Sequence, residues 1–294
     1  MNPKIFQQVA EKIRTATNTD FDIQSTKAIS GGDINQAFLL QGQNTRYFVK
    51  FNRTELLEMF AAEFSALTEI AQTQTVKVPE PITFGKAEST SFLVLEFVQL
   101  KRASSQSERL LGEQLAKLHL QKQLFFGWHI DNTIGSTPQH NSRSQNWLDF
   151  WREQRLGLQL KLAAQKGYGL QLQDLGEKLS ARLEDFFTDY TPQPSLLHGD
   201  LWGGNAAATQ ENQAIIFDPA SYYGDREADL AMTELFGGFG RDFYAAYNDI
   251  WQLDTGYKTR KTLYNLYHIL NHVNLFGGGY AAQARQMMAQ LLAL

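Results

Sequence analysis

In the stretch PSLLHGDLWGGN, residues 194–205, an apolar run stops at a His-Gly-Asp and is followed by two glycines and an asparagine. Asp200 and Asn205 stand five positions apart on a loop almost free of bulk, and thirteen residues further on Asp218 closes a second apolar run, AIIFDPA. Two carboxylates and an amide converging from neighbouring strand ends are the set that phosphoryl transfer from a nucleotide needs. One carboxylate orients the attacking hydroxyl and accepts its proton, while hard oxygen ligands hold magnesium against the phosphates. On this reading Asp200 is the base, Asn205 and Asp218 are the metal ligands, and ATP with Mg2+ is the donor. The competing reading is a turn in which Asp and Asn serve only local hydrogen bonds.

The first hundred residues supply partners that a plain turn does not need. Lys50 ends the strand-like run RYFVK, as the phosphate-pairing lysine does in the V-A-I-K motif of protein kinases. Glu63, thirteen residues on in a helical segment, could turn inward to pair with it, with Glu55 and Glu58 as alternatives. Upstream, Gly31 and Gly32 fall between two strands, where bare backbone N–H groups could cover phosphates. Alone, two glycines indicate a hairpin turn. The connector after FLVLEFVQL offers main-chain groups to adenine at Glu96, Phe97 and Val98, a placement that rests on position because side chains carry no signature there.

These groups need a scaffold, and the periodicity gives one. TKAIS, NQAFLLQG and RYFVKFN read as strands, with two more near residues 81–84 and 91–97, and one helix between them. In that helix Leu56, Phe60, Phe64 and Leu67 recur at spacings of three and four, with Thr54 expected as N-cap. Helical periodicity dominates from Ser107 onward, broken by loop-rich spans around 127–145 and 192–224. The expected fold is α+β and bilobal, protein-kinase-like. A nucleotide-binding antiparallel-sheet lobe covers residues 1–98, and a mainly helical catalytic and acceptor-binding lobe covers 99–294.

Composition narrows the setting. With a net charge of −4 the chain has no excess of positive charge to neutralise nucleic-acid phosphates. It has no cysteine, which removes disulfides, thiolate metal sites and cysteine nucleophiles and suits a reducing, cytoplasmic location. No signal peptide or membrane span is expected, and a monomer is favoured over an obligate oligomer.

The motifs LLHGDLWGGN, FDPASYYGDREADLAMTELFGGF, GGDIN.AF and MFAAEFSAL resemble the fructosamine kinase (ketosamine-3-kinase) family, and the likeness runs over nearly the whole chain. That family is a branch of the kinase-like phosphotransferases that also includes aminoglycoside and choline kinases. The resemblance implies ATP-dependent phosphorylation of the 3-hydroxyl of a sugar joined to an amine, with a deglycation role. The acceptor is then a small-molecule or protein-attached ketosamine. Several family members carry a cysteine in the glycine-rich loop where this chain has Asp33, so thiol-based control there is excluded.

With the family likeness, Trp202 reads as a platform for the sugar, against core packing as the alternative. His198 reads as a brace for the loop backbone, and Asp229 resembles the carboxylate that anchors that loop in kinase folds. Asp225 and Arg226 could pair or fix their segment, and Tyr222 and Tyr223 could line the acceptor site or pack. The stripe of Tyr264, Tyr267 and Phe276 is expected as core. Three other functions compete: a kinase of another amino alcohol or aminoglycoside, a pseudokinase scaffold, and a metal-dependent hydrolase. The first wants an acidic acceptor cluster, the second has no need of all five transfer groups, and the third wants more histidines near His198.

Overall fold

The structure is a computed structural model of the chain and describes residues 2–29 and 34–294. Gly31, Gly32 and Asp33 lie outside the described residues. The amphipathic helix α1 (Pro3–Thr17) is capped by the Asn2 side chain, which accepts the Lys4 N–H at 3.1 Å. Strands β1 (Ser25–Ile29), β2 (Gln36–Gln41) and β3 (Arg46–Arg53) follow. After α2 (Leu57–Gln72) come β4 (Pro81–Ala87) and β5 (Thr90–Glu96). The five strands form one antiparallel sheet in the order β1-β2-β3-β5-β4.

Alternation along β3 decides what each face receives. Tyr47, Val49 and Phe51 bury with Ile5, Val9 and Ile13 of α1, while Lys50 points to the face that α2 covers. Thr54, expected to cap α2, instead opens a short 3-10 turn, Thr54–Leu56. The Leu57 N–H bonds back to the Thr54 carbonyl, so this turn runs straight into α2, whose N-cap is Leu56 with no side-chain bond. From that start Phe60, Leu67 and Ile70 fall on the buried face.

The second lobe opens with β6 (Leu100–Lys101), which pairs not with the first sheet but with a strand more than a hundred residues later. Then come α3 (Ser105–His119), the hairpin β7 (Asn132–Ile134) and β8 (Thr137–Gln139), α4 (Trp147–Trp151), α5 (Leu158–Gln165) and α6 (Gln171–Ala181). Four short strands follow, β9 (Ser195–Leu196), β10 (Ala206–Thr209), β11 (Ala214–Ile216) and β12 (Tyr223–Gly224). The chain closes with α7 (Arg226–Leu235), α8 (Arg241–Ile250), α9 (Tyr257–Phe276) and α10 (Tyr280–Leu292). Sheet β11-β10-β6 and the pair β12-β9 are the struts on which the loop at 197–205 hangs. Tyr264 and Tyr267 are buried as expected of core, but Phe276 is 62% exposed, because α9 ends at Gly277 and leaves its last turn at the surface. Among the described residues no helix is long and apolar enough to cross a membrane.

Candidate active site

Three side chains from three parts of the chain meet at one ammonium. Lys50 Nζ donates to Glu63 Oε1 and to Asp218 Oδ1, each at 2.6 Å, and the lysine is only 6% exposed. Helical phase from Leu57 aims Glu63, rather than Glu55 or Glu58, at β3. Burial alone would lower the lysine pKa, but Asp218 and Glu63 outweigh it and hold the ammonium charged.

The loop that carries Asp200 is braced from behind. Both oxygens of buried Asp229 accept backbone N–H groups, from His198 at 2.7 Å and Gly199 at 2.8 Å. Its Oδ2 is also 3.2 Å from His119 Nε2. Burial would raise this carboxyl's pKa, yet these bonds and the two imidazoles hold it below the usual range. His198 Nε2 donates to the Phe217 carbonyl at 3.0 Å and its Nδ1 accepts the Asp200 N–H at 3.2 Å, a neutral tautomer that burial favours by lowering its pKa. The imidazole therefore faces backbone on both sides. Gly199 has φ +84°, and a Cβ there would lie 2.1 Å from the Ala220 carbonyl oxygen, so the turn admits only glycine.

Asn205 and Asp218 are brought together by the β10–β11 hairpin, in which Phe217 N–H donates to the Asn205 carbonyl at 3.1 Å. The Asn205 amide nitrogen donates to the Asp200 backbone oxygen at 2.8 Å and to Asp200 Oδ2 at 3.3 Å. That orientation leaves the amide oxygen free of protein donors among the described residues. Asp218 sits at φ +58°, and its side chain is 48% exposed. The Asn205 amide oxygen and the Asp218 carboxylate are hard donors on one cavity, a set that fits a magnesium ion keeping waters and phosphate oxygens as its other ligands. Asp200 is pushed up to about 7, by burial first and then by negative Asp218, with the Asn205 hydrogen bond opposing.

Two cavities meet at Asp200 and Trp202. One, of about 210 Å3, is lined by Lys50, Glu63, Asn205 and Asp218 together with those two residues. The other, of about 600 Å3, runs on from Asp200 and Trp202 to Phe236, His268, His272 and Phe276. Trp202 is 38% exposed, and its ring lies against Gly204, where a Cβ would come within 2.3 Å of it. Glu96, Phe97 and Val98 are not among the described residues lining either cavity. Arg46 covers the Phe97 ring at 4.8 Å, and Glu96 accepts the Glu80 N–H at 3.3 Å.

Arg226 does not pair with Asp225. It donates to the carbonyls of Trp251 and Gln252, both at 2.7 Å, while Asp225 caps α7 and receives the hydroxyls of Tyr190 and Tyr264. Tyr222 and Tyr223 pack: the first lies under Arg155 at 4.0 Å, and the second joins β9 and donates to Glu69. Sequence reasoning missed His268, His272 and Phe236. The histidine pair at i, i+4 in HILNH was the available signal for the first two.

A model of the fructosamine kinase family matches residues 5–294. The chain belongs to that family. Among its relatives, a probable ketoamine kinase of Synechocystis sp. is 45% identical, over 99% of this chain and 98% of the other. A protein of Arabidopsis thaliana named protein-ribulosamine 3-kinase, chloroplastic, is 40% identical over 90% of this chain and 82% of that one. A structure from Haemophilus somnus bearing the fructosamine-3-kinase name superposes with a TM-score of 0.90, at 28% identity and 98% coverage of both chains. The fructosamine kinase family shares its fold with aminoglycoside and choline kinases, seen here at 14–16% identity, a level that shows the fold alone. The architecture is accordingly that of the bilobal, protein-kinase-like phosphotransferases.

Proposed function

We propose that this protein transfers the γ-phosphoryl group of ATP to the 3-hydroxyl of ketosamines. Membership in the fructosamine kinase family supports the reaction class, and the names of the relatives support the acceptor. The observation that carries the reading is the position of Asp200 at the junction of the two cavities, between the Lys50–Asp218 pair and the groove that ends on α9.

In this reading residues 1–98 hold the nucleotide. Lys50, fixed by Glu63, pairs with the α- and β-phosphates. Asn205 and Asp218 would hold Mg2+, which supplies charge neutralisation as the phosphoryl group moves. Residues 99–294 hold the acceptor. Asp200 orients the hydroxyl and takes its proton late, and a carboxyl with a pKa of about 7 is matched to that task near neutral pH. Trp202 offers its exposed ring to the sugar.

The groove argues against polycationic acceptors. Among its described lining residues Asp200 is the only carboxylate, so an aminoglycoside would find few partners for its ammonium groups. A pseudokinase scaffold has no need of Lys50, Glu63, Asp200, Asn205 and Asp218 in mutual reach. The cysteine-free composition suits the cytoplasm. The deciding experiment is ADP release on a panel of ribulosamine and fructosamine adducts beside aminoglycosides and choline, with Asp200→Asn as the second arm. Turnover on the adducts should fall about a hundredfold or more in the variant, with ATP affinity close to the parent's. Activity on aminoglycosides alone, or an Asp200→Asn enzyme within a few-fold of the parent, overturns the reading.

A further inference from the structure

The chain has six histidines, and in five the ring is hydrogen-bonded to protein. His119 meets Tyr247 and Asp229, His129 meets Ser65, and His140 meets Asp131. His198 is held by backbone, and His272 donates from Nδ1 to the His268 carbonyl at 2.7 Å. His268 differs. Its ring nitrogens have no partner among the described residues, although the residue is only 6% exposed and lines the groove that begins at Asp200.

The ring lines the groove and no described protein group claims its nitrogens, so a molecule bound there can supply their partners. Burial, reinforced by nearby His272, pushes the His268 pKa down to about 3, so the ring is neutral at working pH. A neutral imidazole presents one donor and one acceptor. That pair suits a hydroxyl, which both gives and takes a hydrogen bond, whereas an ammonium group uses the acceptor alone. The groove around it carries no Lys, Arg or Glu among the described lining residues, and Trp202 and Phe236 supply aromatic surface.

We propose that His268 hydrogen-bonds a hydroxyl of the acceptor sugar beyond the one that is phosphorylated, and so sets which sugar is preferred. The proposal rests on the ketosamine reading above. It makes His268 a specificity-determining residue with no part in the transfer of the phosphoryl group.

The test is steady-state kinetics of the parent, His268→Phe and His268→Gln on erythrulosamine, ribulosamine and fructosamine adducts of one amine, which differ in the hydroxyls beyond the 3-position. A nucleotide titration and a melting curve accompany each variant. His268→Phe fills the space without a donor or acceptor. It should lose about tenfold to a hundredfold in kcat/KM on the preferred adduct, mostly through KM, and narrow the parent's discrimination among the three. ATP affinity should stay unchanged, and His268→Gln should recover part of the loss. A Phe variant within twofold of the parent on all three adducts, equal losses in Phe and Gln, or a parallel loss of ATP affinity overturns the proposal. A parent that phosphorylates none of the adducts overturns the ketosamine reading itself, and this one with it, and is seen before any variant is made.

Discussion

Glu69 receives the Tyr223 hydroxyl at 2.7 Å across 154 residues of sequence, and its other oxygen receives the Trp128 indole N–H at 2.6 Å. Glu69 lies six residues after Glu63 on α2, and Tyr223 lies on β12, whose partner β9 leads into the Asp200 loop. The helix that orients Lys50 is thus hooked to the second lobe by this carboxylate, beside the Ser65–His129 hydrogen bond. Tyr223→Phe removes one of the two bonds, at a cost of about 1–2 kcal/mol. We expect nucleotide affinity in magnesium to weaken about threefold to tenfold while KM for the acceptor holds. Calorimetric titration with a non-hydrolysable ATP analogue checks this; a lower melting temperature with unchanged affinity counts against the hook.

Asp200 should cost the free protein stability. Its folded pKa of about 7 lies above the ordinary value of 3.8, so between those limits the folded state binds a proton that the unfolded state does not. Stability therefore falls as pH rises from about 4 to about 7, and the penalty is fully present above that. Asp200→Asn removes the charge and keeps the shape. Urea denaturation without nucleotide should show the variant more stable by about 2 kcal/mol at pH 8, a figure reduced for the partial exposure of the carboxyl, with the gain gone near pH 4. A gain that is the same at both pH values contradicts the assignment.

Asp218 carries a lysine contact and a proposed metal contact, and they separate by experiment. Asn tolerates the left-handed backbone found there, so Asp218→Asn should fold. ATP affinity measured with magnesium should drop at least about tenfold, and affinity measured in EDTA should change less. Equal effects in both buffers assign Asp218 to Lys50 alone.

Gly199→Ala is expected to be severe. Its Cβ would meet the Ala220 carbonyl at 2.1 Å in a backbone conformation at φ +84°. A loss of about 3 kcal/mol or more in chemical denaturation is expected, beyond the range of ordinary surface changes. Gly203→Ala, where nothing lies within 4 Å of the added methyl, is the matched control.

The Asp200 loop and Lys50 were legible because their chemistry is written locally, in residue types that few turns need at that spacing. Glu63 was legible only to within three candidates, since its selection depends on where α2 begins, and the 3-10 turn at Thr54 shifts that start. The two-residue strands β6 and β12 carry no periodicity to read and were invisible, whereas β9 and β11 showed as the apolar runs that end before Asp200 and Asp218. Glu69 was out of reach for a different reason, its partners lying 59 and 154 residues away. Phe276 fits the helical stripe of its neighbours, and only the end of α9 reveals that the last turn faces outward.

A ribosome completes the first sheet long before it makes Asp218, which joins Lys50 from 168 residues downstream. During that interval the ammonium has Glu63 alone, on a helix whose hook at Tyr223 is also unmade. Early folding of the amino-terminal half, the usual order for chains growing on the ribosome, thus yields a sheet whose lysine has one of its two carboxylate partners and whose helix lacks its Tyr223 bond. Both contacts close late in synthesis, once residues 218–223 are made. A nascent chain released before that point has the five-stranded sheet and neither contact.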